Sequence, residues 1–258
     1  MPHKKQKIAF GPVPSRRLGQ SLGINNIPPK ICTYSCIYCQ VGRTLNMQVN
    51  REEFYSVDEI VRSVENQVNE AYKRGEHIDY LTFVPDGEPT LDSNIGEEID
   101  TLKPLGIKIA IITNGTLLWR EDVREDLLKA DWVSVKVDAV IPPVWRTIDR
   151  PHKSLDLDEI HKGMIRFSQI FDGYLATETM LIDGINDQND VLTETSRFIS
   201  MLHPMKSYLS IPTRPPAEKR VKSASVQAIA MAYQIFIEQG LDVEHLIGYE
   251  GNAFAFTG

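Results

Sequence analysis

Three cysteines stand in one short loop, Cys32-Thr33-Tyr34-Ser35-Cys36-Ile37-Tyr38-Cys39, and they are the only three in the chain. The C-x3-C-x2-C spacing lets a single loop wrap three corners of a cubane iron–sulfur cluster, leaving the fourth iron without a protein ligand. Such an iron can take a small chelating molecule directly. The spacing therefore predicts a [4Fe–4S] cluster with one open corner, held by Cys32, Cys36 and Cys39. Structural zinc fits poorly, because it takes four ligands in paired Cys or Cys/His arrangements, and the nearest histidines, His3 and His77, are distant in sequence. The odd count and tight clustering do not suit a disulfide framework and point to a reducing compartment.

A rigid scaffold has to present that loop. Apolar, β-prone runs at 21–27, 78–84, 107–113, 132–137, 173–182 and 208–212 supply six candidate strands. The third, IKIAIIT, is nearly continuous, as a fully covered parallel strand is. Between the runs, Val57, Ile60, Val61, Val64, Val68 and Ala71 follow helical spacing, with Ser56 and Glu59 as a capping box. Leu157, Ile160, Met164 and Phe167 repeat the pattern behind Asp156 and Glu159, and Val226, Ile229, Tyr233 and Phe236 do so before Gly240. Strands alternating with helices imply βαβ units and a parallel sheet. Six units are too few for an eight-stranded barrel, so the expected α/β fold is a partial (β/α)6 TIM-like barrel, an open parallel sheet with helices outside. The chain reads as a single domain over 1–258, with 1–20 an N-terminal extension and 241–258 a tail that stops before a further domain. The proline-rich pieces at 27–29 and 214–216 are short enough to be loops.

Functional side chains in such a barrel sit at the C-terminal ends of the strands. That rule selects Asp86-Gly87-Glu88-Pro89-Thr90 after the second run, Asn114 after the third and Lys136 with Asp138 at the fourth, where period two puts Ser134, Lys136 and Asp138 on one face. It also selects Met180 on the fifth run and Ile211 and Pro212 on the sixth. Each has two readings. Lys136 and Asp138 are binding groups or a buried ion pair, Asn114 is a site residue or half of an Asn-Gly turn, and Met180 covers a ring or fills core. The 86–90 segment is a binding loop or a strand-to-helix turn. Arginine forks suit carboxylates and phosphates, which makes Arg16, Arg17, Arg150, His152 and Arg214, with Arg146 and Thr213 beside them, candidates for substrate contact.

With 42% hydrophobic and 24% charged residues the composition is that of an ordinary globular protein. A formal net charge of −7 disfavours polyanion binding except where cations gather. His3, Lys4, Lys5 and Lys7, followed by Arg16 and Arg17, are one such gathering, read as a solvated arm and a turn. No run of about 18 apolar residues suggests a membrane span, and the N-terminus lacks the apolar core of a secretory signal. A cytoplasmic protein is expected.

With Tyr38 in the aromatic position of C-x3-C-x-aromatic-C, the loop resembles the cluster loop of the radical S-adenosylmethionine superfamily. Gly11-Pro12-Val13-Pro14-Ser15-Arg16-Arg17-Leu18-Gly19 and Pro28-Pro29-Lys30 are similar to a branch of iron–sulfur oxidoreductases distantly like the tRNA wyosine-base synthases. The likeness runs over essentially the whole chain. It implies S-adenosylmethionine as a second cofactor, chelating the open iron, with Tyr38 near its adenine. Gly87, Glu88 and Pro89 match the superfamily's G-G-E-P motif, Asp86 replacing the first glycine, and would hold the methionine ammonium. Asn114, Lys136 and Asp138 would meet the ribose and carboxylate, while Met180 and the backbone at Ile211 and Pro212 would flank the adenine.

The implied reaction begins with an electron from flavodoxin or ferredoxin and cleaves the sulfonium to methionine and a 5′-deoxyadenosyl radical. That radical takes hydrogen from an RNA base, a protein side chain or a small metabolite. No cysteine remains for an auxiliary cluster, which separates the chain from the wyosine synthases. Two other readings stay open. A non-catalytic iron–sulfur electron-transfer module would need the cysteines but not Gly87-Glu88-Pro89, and a zinc-stabilised RNA-binding protein would carry zinc and bind in a steeply salt-dependent way.

Overall fold

The computed structural model describes residues 7–246. Its strands, in chain order, are β1 (Ala9–Ser15), β2 (Gly19–Ile24), the two-residue β3 (Ile31–Cys32) and β4 (Asn46–Met47), β5 (Tyr80–Phe83), β6 (Lys108–Thr113), β7 (Trp132–Lys136), β8 (Tyr174–Met180), β9 (Lys206–Ser210) and β10 (Val243–Leu246). Eight of them make one curled sheet in the order β1-β2-β5-β6-β7-β8-β9-β10. Every neighbouring pair is parallel except the β1–β2 hairpin. The sheet is the half-barrel expected, and the six anticipated strands are β2 and β5 through β9.

Two strands of this sheet were not anticipated. β1 belongs to the segment read as an N-terminal extension, and its prolines at 12 and 14 fit an edge strand, where a missing N–H costs no ladder bond. β10 belongs to the segment read as a tail and pairs in parallel with β9, so that tail begins inside the sheet. The remainder of the tail, from 247, lies outside the described residues, as do His3, Lys4 and Lys5.

The helices are α1 (Val57–Lys73), α2 (Ile95–Leu102), α3 (Glu121–Leu127), α4 (Pro142–Asp149), α5 (Leu157–Ile170), α6 (Asn189–Met201) and α7 (Val226–Glu238). The Ser56–Glu59 capping box is present: Ser56 Oγ accepts the Glu59 N–H at 3.3 Å and Glu59 Oε2 accepts the Ser56 N–H at 3.2 Å. Asp156 caps α5 by accepting two N–H groups. None of the helices described is long and apolar enough to cross a membrane.

Strand alternation sorts the side chains into two environments. One face carries Leu22, Ile24, Leu81, Phe83, Ile109, Ile111, Val133, Val135 and Leu209, packed with Ile60, Val64 and Val68 of α1 and Ile95 and Ile99 of α2 in the main core. Burying such a side chain contributes about 1.5–3 kcal/mol, so this layer fixes the sheet. The other face carries small residues midway along the strands, among them Ser21, Thr82, Ala110, Ser134, Ala176 and Ser210. These cannot fill the inside of the curl, and the space they leave is the lumen. Its base is closed by Leu18, from the β1–β2 turn, packed with Ala110, Trp132, Ala176, Tyr208 and Leu246.

Beneath the loop after β5, a buried carboxyl pair joins α2 to the sheet. Asn26 Nδ2 donates to Asp92 Oδ2 at 3.2 Å and to the Pro89 carbonyl at 3.1 Å, and Glu98, 0% exposed, faces Asp92. Burial, then the Asp92 charge, holds the Glu98 proton on well above the ordinary carboxylate range. The folded state thus keeps a proton that the unfolded chain releases, so stability falls as pH rises past that ordinary range. Glu98→Gln should therefore melt near the native temperature at about pH 5 and progressively above it towards about pH 9. Thermal unfolding across that interval checks this, and a pH-independent difference would contradict it.

Candidate functional site

The cysteine loop has almost no regular structure, so its peptide groups find partners elsewhere. The Gly87 loop contributes the Glu88 N–H, which reaches the Ile31 carbonyl at 3.1 Å, and the Asp86 carbonyl, which accepts the Lys30 N–H at 2.7 Å. The segment leaving α4 accepts the Ser35 N–H at Asp149 O (2.9 Å) and the Ile37 N–H at Ile148 O (2.9 Å), and donates the His152 N–H to Thr33 O (2.9 Å). The loop after β9 donates the Glu218 N–H to Ile37 O at 3.0 Å. Trp145 Nε1 donates to the Tyr34 hydroxyl at 2.7 Å, fixing the ring that backs the loop.

So held, Cys32, Cys36 and Cys39 all line one cavity of about 390 Å³ at the C-terminal ends of the parallel strands. Burial first, then nearby Glu88, pushes the Cys32 thiol up to about 12. Burial and Asp149 hold Cys36 well above its ordinary value, and burial raises Cys39. Metal binding opposes that effect by neutralising the thiolates as they form. Cys32 Sγ has a possible donor in Asn114 Nδ2 at 3.6 Å, a contact that also suits a thiolate bound to iron. Among the described residues no three His, Cys, Asp or Glu side chains converge tightly enough for a single metal ion. Three thiols from one loop lining one cavity suit an iron–sulfur cluster, whose irons are held by cysteine thiolates.

Glu88 lines the cavity with Gly87. Its carboxyl is 1% exposed and accepts from Thr90 N (3.1 Å), Thr90 Oγ1 (2.5 Å), Thr113 Oγ1 (2.5 Å) and Asn114 N (2.8 Å). Three of these donors fall on Oε1 and one, the Asn114 N–H, on Oε2, so the side chain clamps the β5 loop to the end of β6 while Oε2 keeps room to accept. Acceptors for an ammonium on this loop would then be Glu88 Oε2 and backbone carbonyls. Gly87 lets the loop close on the cysteines, since a Cβ there would stand 2.0 Å from the Ile31 carbonyl oxygen. Pro89 starts a buried 3-10 turn and faces away from the cavity. Arg51, which sequence reasoning missed, braces this turn from below, donating to the Thr90 and Asp92 carbonyls (3.0 and 2.8 Å) and pairing with Asp122 and Asp126.

Along the opposite wall runs a line of alternating charges. Arg17 pairs with Glu178, Glu178 Oε1 lies 3.2 Å from Lys136 Nζ, and Lys136 lies 3.5 Å from Asp138 Oδ1. Asp138 accepts from the Tyr38 hydroxyl and from Met180 N. Burial disfavours the Lys136 charge, but Asp138 and Glu178 outweigh it and raise its pKa. Burial likewise opposes Glu178, yet Lys136 and Arg17 hold it down to about 2. Behind this wall, Asp149 accepts from Cys36 Sγ at 3.3 Å. Burial and the Asp138 charge keep Asp149 protonated well above the ordinary range. Asp149 was also missed: an aspartate closing a helix before Arg-Pro carries no signal that it lies under a thiol.

Tyr38, Gly87, Glu88, Asn114, Lys136, Met180, Ile211 and Pro212 line the cavity with Arg16, Arg17 and Arg214. Pro89, Asp138, Arg150 and His152 do not. Arg150 instead pairs with Glu218 at 2.7 Å, and the His152 ring turns to Ser154. Both sit on a segment whose backbone holds the cysteine loop, which explains their position on the rim without a substrate. Arg146 lies against the Trp145 ring.

The Glu88 clamp has a measurable consequence. Glu88→Ala leaves several buried donors unpaired, at about 1–3 kcal/mol each before relaxation. Denaturant unfolding should show a loss of at least about 2 kcal/mol. An unchanged midpoint would deny the clamp.

A family profile described as Radical SAM superfamily matches residues 26–194. A UPF0026 protein of Methanocaldococcus jannaschii, MJ1312, is 51% identical over 252 residues, spanning 97% of this chain and 78% of that relative. A UPF0026 protein of Helicobacter pylori is 35% identical over 225 residues, 86% of this chain and 71% of the relative. Among solved structures, a radical SAM methyltransferase from Sphaerobacter thermophilus superposes with a TM-score of 0.66 at 17% identity, covering 90% of this chain and 69% of that one. TYW1 with a lysine–pyruvate adduct superposes at 0.59 and 15% identity, covering 86% and 75%; at these identities both likenesses concern the fold. A profile matched over most of the chain and relatives aligned over most of their length leave one conclusion: this chain belongs, with the UPF0026 proteins, to the radical SAM superfamily.

Proposed function

We propose that the chain holds one [4Fe–4S] cluster on Cys32, Cys36 and Cys39, binds S-adenosylmethionine in the adjoining cavity and removes hydrogen from an organic substrate. The observation that carries this is the convergence of all three thiols, the Gly87 loop and the Lys136 ammonium on a single cavity of about 390 Å³. When bound, cluster and cofactor supply reductive cleavage of a sulfonium to methionine and a 5′-deoxyadenosyl radical.

Backbone carbonyls of the Gly87 loop, with Glu88 Oε2 beside them, accept the cofactor's ammonium. Lys136, the cation on the lumen wall nearest the cluster loop, takes its carboxylate. Tyr38, Met180, Ile211 and Pro212 provide a mostly apolar surface for the adenine, excluding water from the reacting carbon. Asp138, behind Tyr38 and Lys136, orients both rather than touching the cofactor. A lumen with its base closed by Leu18 and Trp132 admits one small group at a time: a base of an RNA, a protein side chain or a small metabolite.

For the reductant we propose an acidic one-electron carrier, flavodoxin or ferredoxin. The rim beside the cysteine loop carries Lys30, Arg43, Arg150, Lys219 and Arg220 against Asp86 and Glu218, on a chain whose net charge is −7. Leu45, 80% exposed, lies among them. An apolar residue within a charged ring suits a protein partner.

Anaerobic reconstitution followed by chromatography tests the core of the proposal. Native chain with dithionite and S-adenosylmethionine should yield 5′-deoxyadenosine and Cys36→Ala none; product from that variant would remove the cluster assignment. Charge reversal at Lys219 and Arg220 together should slow flavodoxin-driven formation roughly tenfold while leaving the dithionite-driven rate intact. Equal slowing of both would refute the docking rim.

A further inference from the structure

Arg17 enters the lumen from the N-terminal ends of the parallel strands, on the turn joining β1 to β2, whereas Lys136, Glu178 and Asp138 project from the strands or their C-terminal ends. Its side chain is 15% exposed and lines the cavity. One guanidinium nitrogen pairs with Glu178 Oε2, the group lies 6.0 Å from the Tyr208 ring centroid, and its Nε–H is buried without a partner among the described residues. The other Glu178 oxygen receives Lys136 at 3.2 Å and the Ser210 hydroxyl at 2.9 Å. The two carboxylates that press on Lys136, Glu178 and Asp138, are thus balanced by two cations, one of which arrives 161 residues away in sequence from its partner.

We propose that Arg17 is a positioning residue for the cofactor: by engaging half of Glu178 it leaves Lys136 with charge to share with the carboxylate of S-adenosylmethionine. The inference rests on the reading that this cavity holds that cofactor. Without Arg17, one ammonium faces two buried carboxylates, the wall gains a net negative charge, and an entering carboxylate meets repulsion where it had met attraction. Coulomb energy falls as 1/r, so at Lys136 the nearest group, the carboxylate, outweighs the more distant sulfonium. The turn that closes the base of the barrel with Leu18 therefore also sets the electrostatics of its mouth.

The test measures binding and iron content rather than turnover. Native chain, Arg17→Met, Glu178→Gln and the double variant are reconstituted anaerobically. Each is assayed for iron per chain, melting temperature, and dissociation constants for S-adenosylmethionine and for S-adenosylhomocysteine, which keeps the carboxylate and lacks the sulfonium charge. Arg17→Met should retain native iron and weaken both ligands about tenfold or more, and the double variant, neutral again, should return both to within about threefold of native. Glu178→Gln alone should bind at least as tightly as native, because Lys136 loses a competing anion. That arm decides the matter even if Arg17→Met does not fold, since weaker binding would make Glu178 itself the ligand and overturn the proposal. It is overturned equally if Arg17→Met lowers the melting temperature while both constants stay native, or if it tightens the sulfonium ligand alone. Native chain that binds neither ligand sinks the cofactor assignment, whereas native binding matched by Arg17→Met sinks only the role given to Arg17.

Discussion

A loop that must surround something it does not contain cannot be held by its own contacts. Between Ile31 and Cys39 the chain has little ladder to join, and its peptide groups would be left partly exposed or unpaired if the surroundings did not meet them. Here they are met from three sides, by Glu88, by the 148–152 segment and by Glu218. Each of those segments follows a strand of the same sheet, directly or through α4. The positions of the three sulfurs are thereby referred to strand ends buried under a helical layer. The loop needs no internal rigidity, only backbone groups in the right register.

The frame also explains how charge can sit in the lumen. Small residues on the inner face leave volume, and volume open to a cofactor must carry polar groups. Burial alone would discharge those groups: it pushes Lys136 down and Glu178 up. What keeps both ionised is alternation, with each charge next to its opposite from Arg17 to Asp138. An ion wall of this sort adds little to stability compared with an apolar one of the same volume. Its presence is better explained by what it offers a ligand than by what it does for the fold.

The sequence showed well whatever depends on residue type and spacing. Three cysteines at fixed intervals, a nearly continuous apolar run such as IKIAIIT and an amphipathic stripe behind Ser56 each declare their setting locally, and the cysteine loop, the half-barrel and α1 follow. Short or proline-bearing elements did not declare themselves: β1 reads as a loop because its prolines forbid a central strand but not an edge, and β10 offers only Val243 and Leu246 as buried positions. Side-chain partners were the least legible of all. Arg150 and His152 were placed on the correct rim, because strand order fixes that, but their contacts depend on Glu218 and Ser154. Asp149 and Arg51 act across long sequence separations that no local pattern records.

Glu88 shows how motif and structure can agree on a residue and the structure add a second task. A glutamate in a binding loop suggests a ligand contact, since a carboxylate suits an ammonium. Yet three of the four protein donors to Glu88 fall on Oε1 and one on Oε2, and withdrawing any of them for a ligand would orphan a buried Thr or Asn group. The two requirements are reconciled if the acid fixes the path of the backbone and the backbone, with Oε2 beside it, does the binding. Glu88 pulls Thr90, Thr113 and Asn114 together. That closure brings Gly87 against Ile31 and Asn114 to within 3.6 Å of Cys32 Sγ. One buried carboxyl thus couples the shape of the ligand loop to the placement of the cysteine loop, so that neither half of the site can be assembled without the other.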